Sequence, residues 1–354
     1  MNAGATGVLP LSTTSSHIIQ RLNEKSSSFV QIAIPTNVLV SMIASQLFTL
    51  LETSRWKDYA LIDSGDGLKL ERFGNYIFVR PESQAMWKRS LDNEWKQAHA
   101  IFQPTGEESG GHWDFKEKVD EKWEMKYPLT PGPSLRSASQ SPLERGEIRF
   151  WAMTTPGRHL GVFPEVAAHW DWFSGLIAQA KKEINVLNLF GYTGLATLAA
   201  AAAGAKVTHV DASKKSVSWA RENQALSNLT EKPIRWIVDD ALKFVQREAR
   251  RGVKYDGIIL DPPKFGRGPQ GEVWEVYKSL PTLLKACREC LSDHPLFVVT
   301  TIYAVRASAI HVAQALDEMM KEFEGKVECG ELITREQSAG RLLSQAVYAR
   351  WNRT

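Results

Sequence analysis

Asn188, Phe190, Gly191, Tyr192, Thr193 and Gly194 form a glycine loop between an apolar run and an alanine-rich one. Glycines at such a point let the backbone approach a ligand, and a helix starting there offers unpaired N–H groups. A nicotinamide site would carry GxGxxG to take a pyrophosphate. Gly191-Tyr192-Thr193-Gly194 stands here instead. That suits a ligand without phosphate, such as the methionyl part of S-adenosylmethionine (SAM). Two glycines are also ordinary in any strand–helix loop, so the loop alone does not decide.

Asp211 lies about 20 residues further on, the spacing at which a carboxylate at a second strand end can accept both ribose hydroxyls of an adenosine. Aspartate also favours helix N-caps, and in Asp211-Ala212-Ser213 either Asp211 or Ser213 can cap. Val238-Asp239-Asp240-Ala241 ends a third strand. Asp240 is the preferred acceptor for an adenine N–H there, with Asp239 left to cap the following helix. Three successive strand ends carrying these groups favour the adenosyl reading over coincidence.

The remaining chemistry lies in Asp261-Pro262-Pro263-Lys264-Phe265, after a fourth strand. Two prolines stiffen the backbone. Asp261 and the Pro262 carbonyl can accept hydrogen bonds from a base edge or an amine, and Phe265 offers a stacking face. A rigid turn with a capping aspartate is the structural alternative. Lys264 suits a phosphate contact or a solvated loop equally, and Gly266-Arg267-Gly268 reads as a mobile cationic loop.

The elements that must position these residues fall in two textures. From about Glu165 strands and helices alternate: strands at 184–189, 206–210, 234–238, 255–260 and 296–300, helices at 194–203, 214–228, 241–250, 277–291 and 308–324, and closing strands at 327–333 and 345–351. Repeated βα units imply an α/β fold with a doubly wound, seven-stranded, mostly parallel sheet. The last pair lacks room for a crossover helix, so one of its strands is expected to be antiparallel. Before that, aromatic and β-branched runs broken by Gly, Asp and Asn predict strands at 59–62, 68–72, 76–80, 123–127 and 148–153, with loops at 103–112 and 128–142. The expected domains are therefore a tail and helix over 1–55, a small β-rich accessory domain over 56–155, and a SAM-binding catalytic domain over 156–354.

With a formal charge of +3, the chain does not declare a nucleic-acid partner by composition. Cys287, Cys290 and Cys329 are too few for a disulfide framework and suit a reducing compartment. The Cys287/Cys290 pair lies on an expected helix without a second pair, so no metal is expected. Val38–Leu51 is too short and too polar to span a bilayer and reads as a core-facing helix. Residues 1–28 read as a mobile tail or a transit peptide. A cytoplasmic protein without a membrane segment is the expectation.

Asn188–Gly194, Asp211–Ser213, Asp240 and Asp261–Phe265 together resemble the class I, Rossmann-like SAM-dependent methyltransferases of 23S ribosomal RNA that carry a DPPKF motif, a group with cytosine-C5 and guanine-N7 enzymes. Leu61–Gly74 resembles that family's N-terminal β segment. Gly161-Val162-Phe163-Pro164-Glu165 resembles the segment that lies over its cofactor, which adds Phe163 to the expected cofactor residues. The resemblance covers about 56–354 and implies SAM as cofactor, RNA (23S rRNA) as partner, and the β-rich domain as an RNA-docking module. One departure stands out. The family's cytosine-C5 enzymes need a cysteine after the fifth strand to attack C6, and 297–306 contain none. A base nitrogen, which needs positioning rather than covalent catalysis, is the expected acceptor. A protein or small-molecule amine methyltransferase, a non-catalytic SAM-binding assembly factor and a nicotinamide oxidoreductase are the alternatives.

Overall fold

The computed structural model describes residues 48–53, 56–105, 110–129, 147–303 and 306–354. The expected loop at 128–142 and the tail over 1–28 fall outside these residues, apart from Pro128 and Leu129. The chain from Asn185 onwards alternates as its pattern requires. The elements are β9 (Asn185–Leu189), α2 (Leu195–Ala202), β10 (Lys206–Asp211), α3 (Lys214–Leu226), β11 (Ile234–Val238), α4 (Ala241–Arg250), β12 (Gly257–Leu260), the short pair β13 (Phe265–Arg267) and β14 (Val273–Glu275), α5 (Val276–Cys290), β15 (Phe297–Ile302), α6 (Ala309–Met320), β16 (Lys326–Arg335) and β17 (Leu342–Asn352), with α1 (Ala167–Gln179) before them.

These strands form one sheet in the order β1-β16-β17-β15-β12-β9-β10-β11, where β1 is Phe48–Glu52. β17 is the antiparallel member, against both β15 and β16. The sheet has eight strands rather than the expected seven, because β1 adds in parallel to β16. This corrects two expectations. The helix read over Val38–Leu51 is strand from Phe48 on, and the boundary at 55/56 cuts off a strand of the main sheet. Phe48-Thr49-Leu50-Leu51 alternates too briefly for periodicity alone to separate strand from helix.

Alternation along each central strand feeds two cores. Val186, Ile259, Phe297 and Val299 face one cluster with Trp170, Phe173 and Leu198, while Leu187, Leu189, Ile258, Leu260 and Val298 face the other with Phe244, Leu283 and Leu316. Helices therefore cover both faces, and the strands read as continuous apolar runs for that reason. Chain order reverses between β9 and β12, the switch point at which open α/β sheets hold ligands.

The β-rich part comprises β2 (Tyr59–Gly65), β3 (Leu68–Phe73), β4 (Tyr76–Pro81), β5 (Ala100–Pro104) and β6 (Gly111–Phe115) in one sheet, plus the ladder β7 (Trp123–Pro128) with β8 (Glu147–Ala152). The loop expected over 103–112 is thus strand at both ends. Phe73, Phe78, Trp123, Met125 and Phe150 share one core with Trp170 and Leu198, so this part packs continuously onto the main sheet. A buried bidentate pair, Arg80 to Glu71 at 2.7 and 2.8 Å, also receives the Tyr59 hydroxyl at 2.9 Å. Arg80 donates further to the Arg158 carbonyl at 3.1 Å and so fixes the segment leading to Phe163. Burial opposes the charge on Glu71, but Arg80 and Lys69 overcome it and hold that carboxyl at about 2.

Candidate active site

β9, β10, β11 and β12 are parallel neighbours, so their C-terminal tips lie on one edge of the sheet. Leu189 pairs with Val210 and Leu260, and Asp211 with Val238. The structure thereby brings the glycine loop, Asp211, Asp239–Asp240 and Asp261 to one edge of the sheet.

The glycine loop owes its shape to contacts beneath it. Phe190 and Tyr192 take positive φ values of 58° and 47°, a region that costs non-glycine residues strain. A Cβ on Gly191 would lie 2.3 Å from Cε1 of His209. Only glycine passes over that ring. His209 is itself held by Thr197 Oγ1 at 2.9 Å from Nδ1, and Thr197 accepts the Asn188 side-chain amide at 2.9 Å. The Asn188 side chain is thus committed to supporting the loop, and the Thr193 hydroxyl donates to the Gly161 carbonyl at 2.7 Å. Gly194, at φ 83°, precedes α2.

Asp211 accepts the backbone N–H of Tyr192 and that of Ser213, both at 2.8 Å. Burial raises its pKa, and those two amides work the other way. Ser213, not Asp211, caps α3, accepting from Ser216 N at 3.1 Å, and Ala212 lies between them half-buried. The expected division between Asp239 and Asp240 is reversed in part. Asp240 is the N-cap of α4, accepting from Lys243 N at 2.9 Å, whereas Asp239 pairs with Arg247. Asp240 stands immediately before the first helical residue, so its oxygen reaches the N3 amide.

After β12 comes Asp261. Its Oδ1 is enclosed and has no hydrogen-bond partner among the described residues. Burial first, then the nearby charge of Glu165, pushes its carboxyl up to about 8. Pro262 is buried and Pro263 half-buried; the Pro263 carbonyl accepts from Trp274 Nε1 at 2.6 Å. Trp274 also packs against Phe190 at 4.9 Å between ring centroids. The Gly266-Arg267-Gly268 stretch, read as a mobile loop, instead runs from β13 into the turn of an antiparallel hairpin with β14. Two such short strands lie below the length at which alternation is readable. The hairpin holds Phe265 outward at 51% exposure, with the Lys264 ammonium 5.1 Å from its ring centre.

A pocket of about 540 Å³, including its mouth, opens at this edge. Its lining joins Asn188, Phe190–Thr193 and Asp261 to Phe163, Val166 and His169 from the segment before the sheet. Phe163 contacts the rings of Tyr192 and Tyr303 at 5.8 and 5.1 Å. Asp211, Ala212, Ser213, Asp239 and Asp240 stand on neighbouring tips outside that lining. His169 was not singled out from sequence, and Glu165 entered only as the last residue of the Gly161–Glu165 segment. Burial is what distinguishes them, and in an amphipathic helix start nothing in the letters reveals it. The lining is chemically suited to a cationic, partly apolar ligand: an enclosed carboxyl, aromatic walls and a glycine loop. Cys287, Cys290 and Cys329 are buried free thiols away from it. No group of three potential metal ligands occurs among the described residues, and no described helix is long and apolar enough to cross a membrane.

Comparison with known proteins agrees with this architecture. The family described as "Conserved hypothetical protein 95" matches residues 170–287. The crystal structure of a SAM-dependent methyltransferase from Agrobacterium tumefaciens is 46% identical with a TM-score of 0.77, covering 86% of this chain and 94% of that one. The SMU.776 structure, complexed with SAH (S-adenosylhomocysteine), shares the fold at a TM-score of 0.57 and 16% identity, covering 89% of this chain and 79% of that one. Ribosomal RNA large subunit methyltransferase K/L of Shewanella sp. (strain ANA-3) is 41% identical over 99 residues, or 27% of this chain and 14% of that protein. The same-named protein of Pseudoalteromonas atlantica is 39% identical over 118 residues, or 33% and 16%. The chain therefore matches about one-seventh of the length of these relatives.

Proposed function

This chain belongs to the SAM-dependent methyltransferases, and on that premise we propose that it methylates a nitrogen of a base in RNA, with 23S ribosomal RNA as the substrate. When bound, SAM supplies a sulfonium-linked methyl group to a nucleophile aligned with it. The residues present fit such a group, because an enclosed carboxyl oxygen, Asp261 Oδ1, without a partner among the described residues lines the same pocket as the glycine loop and Phe163. In this reading Asn188–Gly194 and Phe163 hold the methionyl part, Asp211–Ser213 the ribose, and Asp239–Asp240 the adenine. The swapped capping leaves Asp240 one oxygen for that contact, since its Oδ1 serves the helix.

The observation that carries the acceptor is the Asp261–Phe265 turn: an enclosed carboxyl oxygen in the pocket, then an outward aromatic ring. Asp261 and the Pro262 carbonyl take the hydrogens of a base edge, and Phe265 stacks on a base. Lys264 and Arg267 suit the adjoining phosphates. Burial drives the Cys287 thiol well above its ordinary value, and residues 297–306, over and just past β15, contain no cysteine, which favours direct transfer to nitrogen over attack through a thiolate. The β-rich part over 56–155 serves as the RNA-docking module, and the setting is the cytoplasm. The chain's likeness to the K/L proteins, over 27% to 33% of its length, supports the RNA assignment.

Total RNA from a strain lacking the protein, incubated with the purified chain and methyl-labelled SAM, tests the reading. Label in one methylated 23S base supports it. Label only in protein or metabolites overturns the RNA assignment and leaves an amine methyltransferase of another class.

A further inference from the structure

His169, in the first turn of α1, is 3% exposed and lines the pocket, yet neither Nδ1 nor Nε2 has a hydrogen-bond partner among the described residues. A buried imidazole left wholly unpaired is costly, and native structures seldom leave a group in that state without a ligand or water to meet it. His209, also buried, provides the contrast: its Nδ1 pairs with Thr197 Oγ1 at 2.9 Å, leaving only Nε2 without a partner among the described residues, it supports Gly191 from below, and it is not part of the lining. The flank of the His169 ring is closed by Tyr348, whose ring lies 5.1 Å away at 66°, and the Tyr348 hydroxyl is spent on Glu328 at 2.8 Å. Burial, then the charge of Arg350, keeps the imidazole neutral, with its pKa lowered to about 3. A neutral imidazole offers one N–H donor and one acceptor.

Among the other polar side chains of the lining, Asn188 donates to Thr197 and Thr193 to the Gly161 carbonyl. Asp261, with its enclosed Oδ1, is an acceptor once ionised. An α-amino acid end presents one ammonium and one carboxylate. The enclosed Oδ1 of Asp261 suits the first and leaves its other oxygen for the base edge. For the second, the buried side-chain donors of the lining without a partner among the described residues are Trp170 Nε1 and the His169 ring, and His169 alone of the two leaves both its nitrogens unmet.

Resting on the reading that this pocket takes the methionyl part of SAM, we propose that the His169 ring N–H binds the α-carboxylate of that part. His169 is thus a ligand-binding residue rather than a packing residue.

The test compares SAH with 5′-methylthioadenosine, which keeps the adenosyl thioether but lacks the amino-acid end, on the full chain by calorimetry. In His169→Leu, SAH affinity falls about 10- to 100-fold, the range expected for a hydrogen bond to a charged group, while 5′-methylthioadenosine binds as before. His169→Gln, which restores a donor, recovers most of the loss. In the unsubstituted protein labelled with ¹⁵N-histidine, SAH shifts one imidazole resonance that is absent from His169→Gln, and 5′-methylthioadenosine does not. Equal weakening of both ligands, or an unmoved imidazole with SAH bound, assigns His169 to packing and overturns the proposal. Should His169→Leu fail to fold, the glutamine variant and the resonance still decide. Failure of the unsubstituted chain to bind either compound would instead strike the reading of the pocket itself.

Discussion

The Asp211 carboxylate accepts the backbone N–H of Tyr192 at 2.8 Å across the gap between β10 and the glycine loop. One side chain thereby links two strand tips, and the residue proposed to hold a ribose also holds Tyr192 in its left-handed conformation at φ 47°. Asp211→Ala removes both roles at once. SAH affinity is expected to fall about 100-fold, from the loss of charge-assisted hydrogen bonds worth roughly 1.5–3 kcal/mol each. Asp211→Asn, which keeps one acceptor oxygen, should fall between. Calorimetry on the two variants checks the order, and equal affinities would remove Asp211 from the site.

Gly191 and His209 form a second dependent pair. Gly191→Ala drives a methyl group into the imidazole, and overpacking of this kind costs about 1–3 kcal/mol. The double variant Gly191→Ala/His209→Ala should lose less stability than the two single losses added together, since removing the ring makes room for the methyl. Urea unfolding of the four proteins gives the coupling; simple additivity would mean the loop yields elsewhere.

The positions of these residues were legible because strand tips are marked by chemistry. The runs 234–238 and 241–250 were read to the residue, and both match the structure. Asp211, Asp240 and Asp261 each follow an apolar run, and a parallel sheet must bring such ends to one edge. What was not legible depended on tertiary neighbours. The division between Asp239 and Asp240 depended on neighbours as well: with the helix starting at Ala241 the cap falls to Asp240, and Asp239 is drawn to Arg247. β1 gains its place from pairing with β16, Phe48 lying opposite Cys329, and β13–β14 from the Trp274 bond to Pro263. The unpaired state of His169 is a property of its surroundings and leaves no trace in the spacing.

Protonation supplies a third test. Asp261 has its carboxyl pushed up to about 8, first by burial and then by Glu165, against roughly 3.9 in an unfolded chain. Between those values the folded state keeps a proton that the unfolded state has lost, so its contribution to stability is full below about pH 4 and declines as pH rises towards 8. Asp261→Asn should accordingly gain stability over the unsubstituted protein at pH 8 and little at pH 4, as read by thermal melts at both. Bringing the SAH ammonium into the pocket favours the ionised form, so binding at pH 7 should release close to one proton. Calorimetry in buffers of different ionisation enthalpy measures that release. Asp261→Asn should abolish it, and a release that persists would place the titrating group elsewhere.

Trp274 separates cofactor chemistry from substrate positioning. Its indole N–H bonds the Pro263 carbonyl at 2.6 Å and its ring packs on Phe190, so one side chain ties the β13–β14 hairpin to the double-proline turn and to the glycine loop. That hairpin carries Phe265 and Val273 outward, the latter at 73% exposure, where they can meet an RNA but not a ligand inside the pocket. Trp274→Phe keeps the ring contact and removes only the hydrogen bond, which is worth about 1 kcal/mol. Misplacing a substrate by about 1 Å can cost on the order of 100-fold in rate. The expected outcome is therefore asymmetric: SAH affinity within a few-fold of the unsubstituted protein, with RNA methylation reduced about 10- to 100-fold at saturating SAM. Phe265→Ala should reproduce the second effect without the first, because its ring lies on the same outward face and makes no contact with the glycine loop among the ring contacts observed. If either variant loses SAH binding in proportion to activity, the hairpin belongs to the cofactor site, and the RNA must be met by another surface.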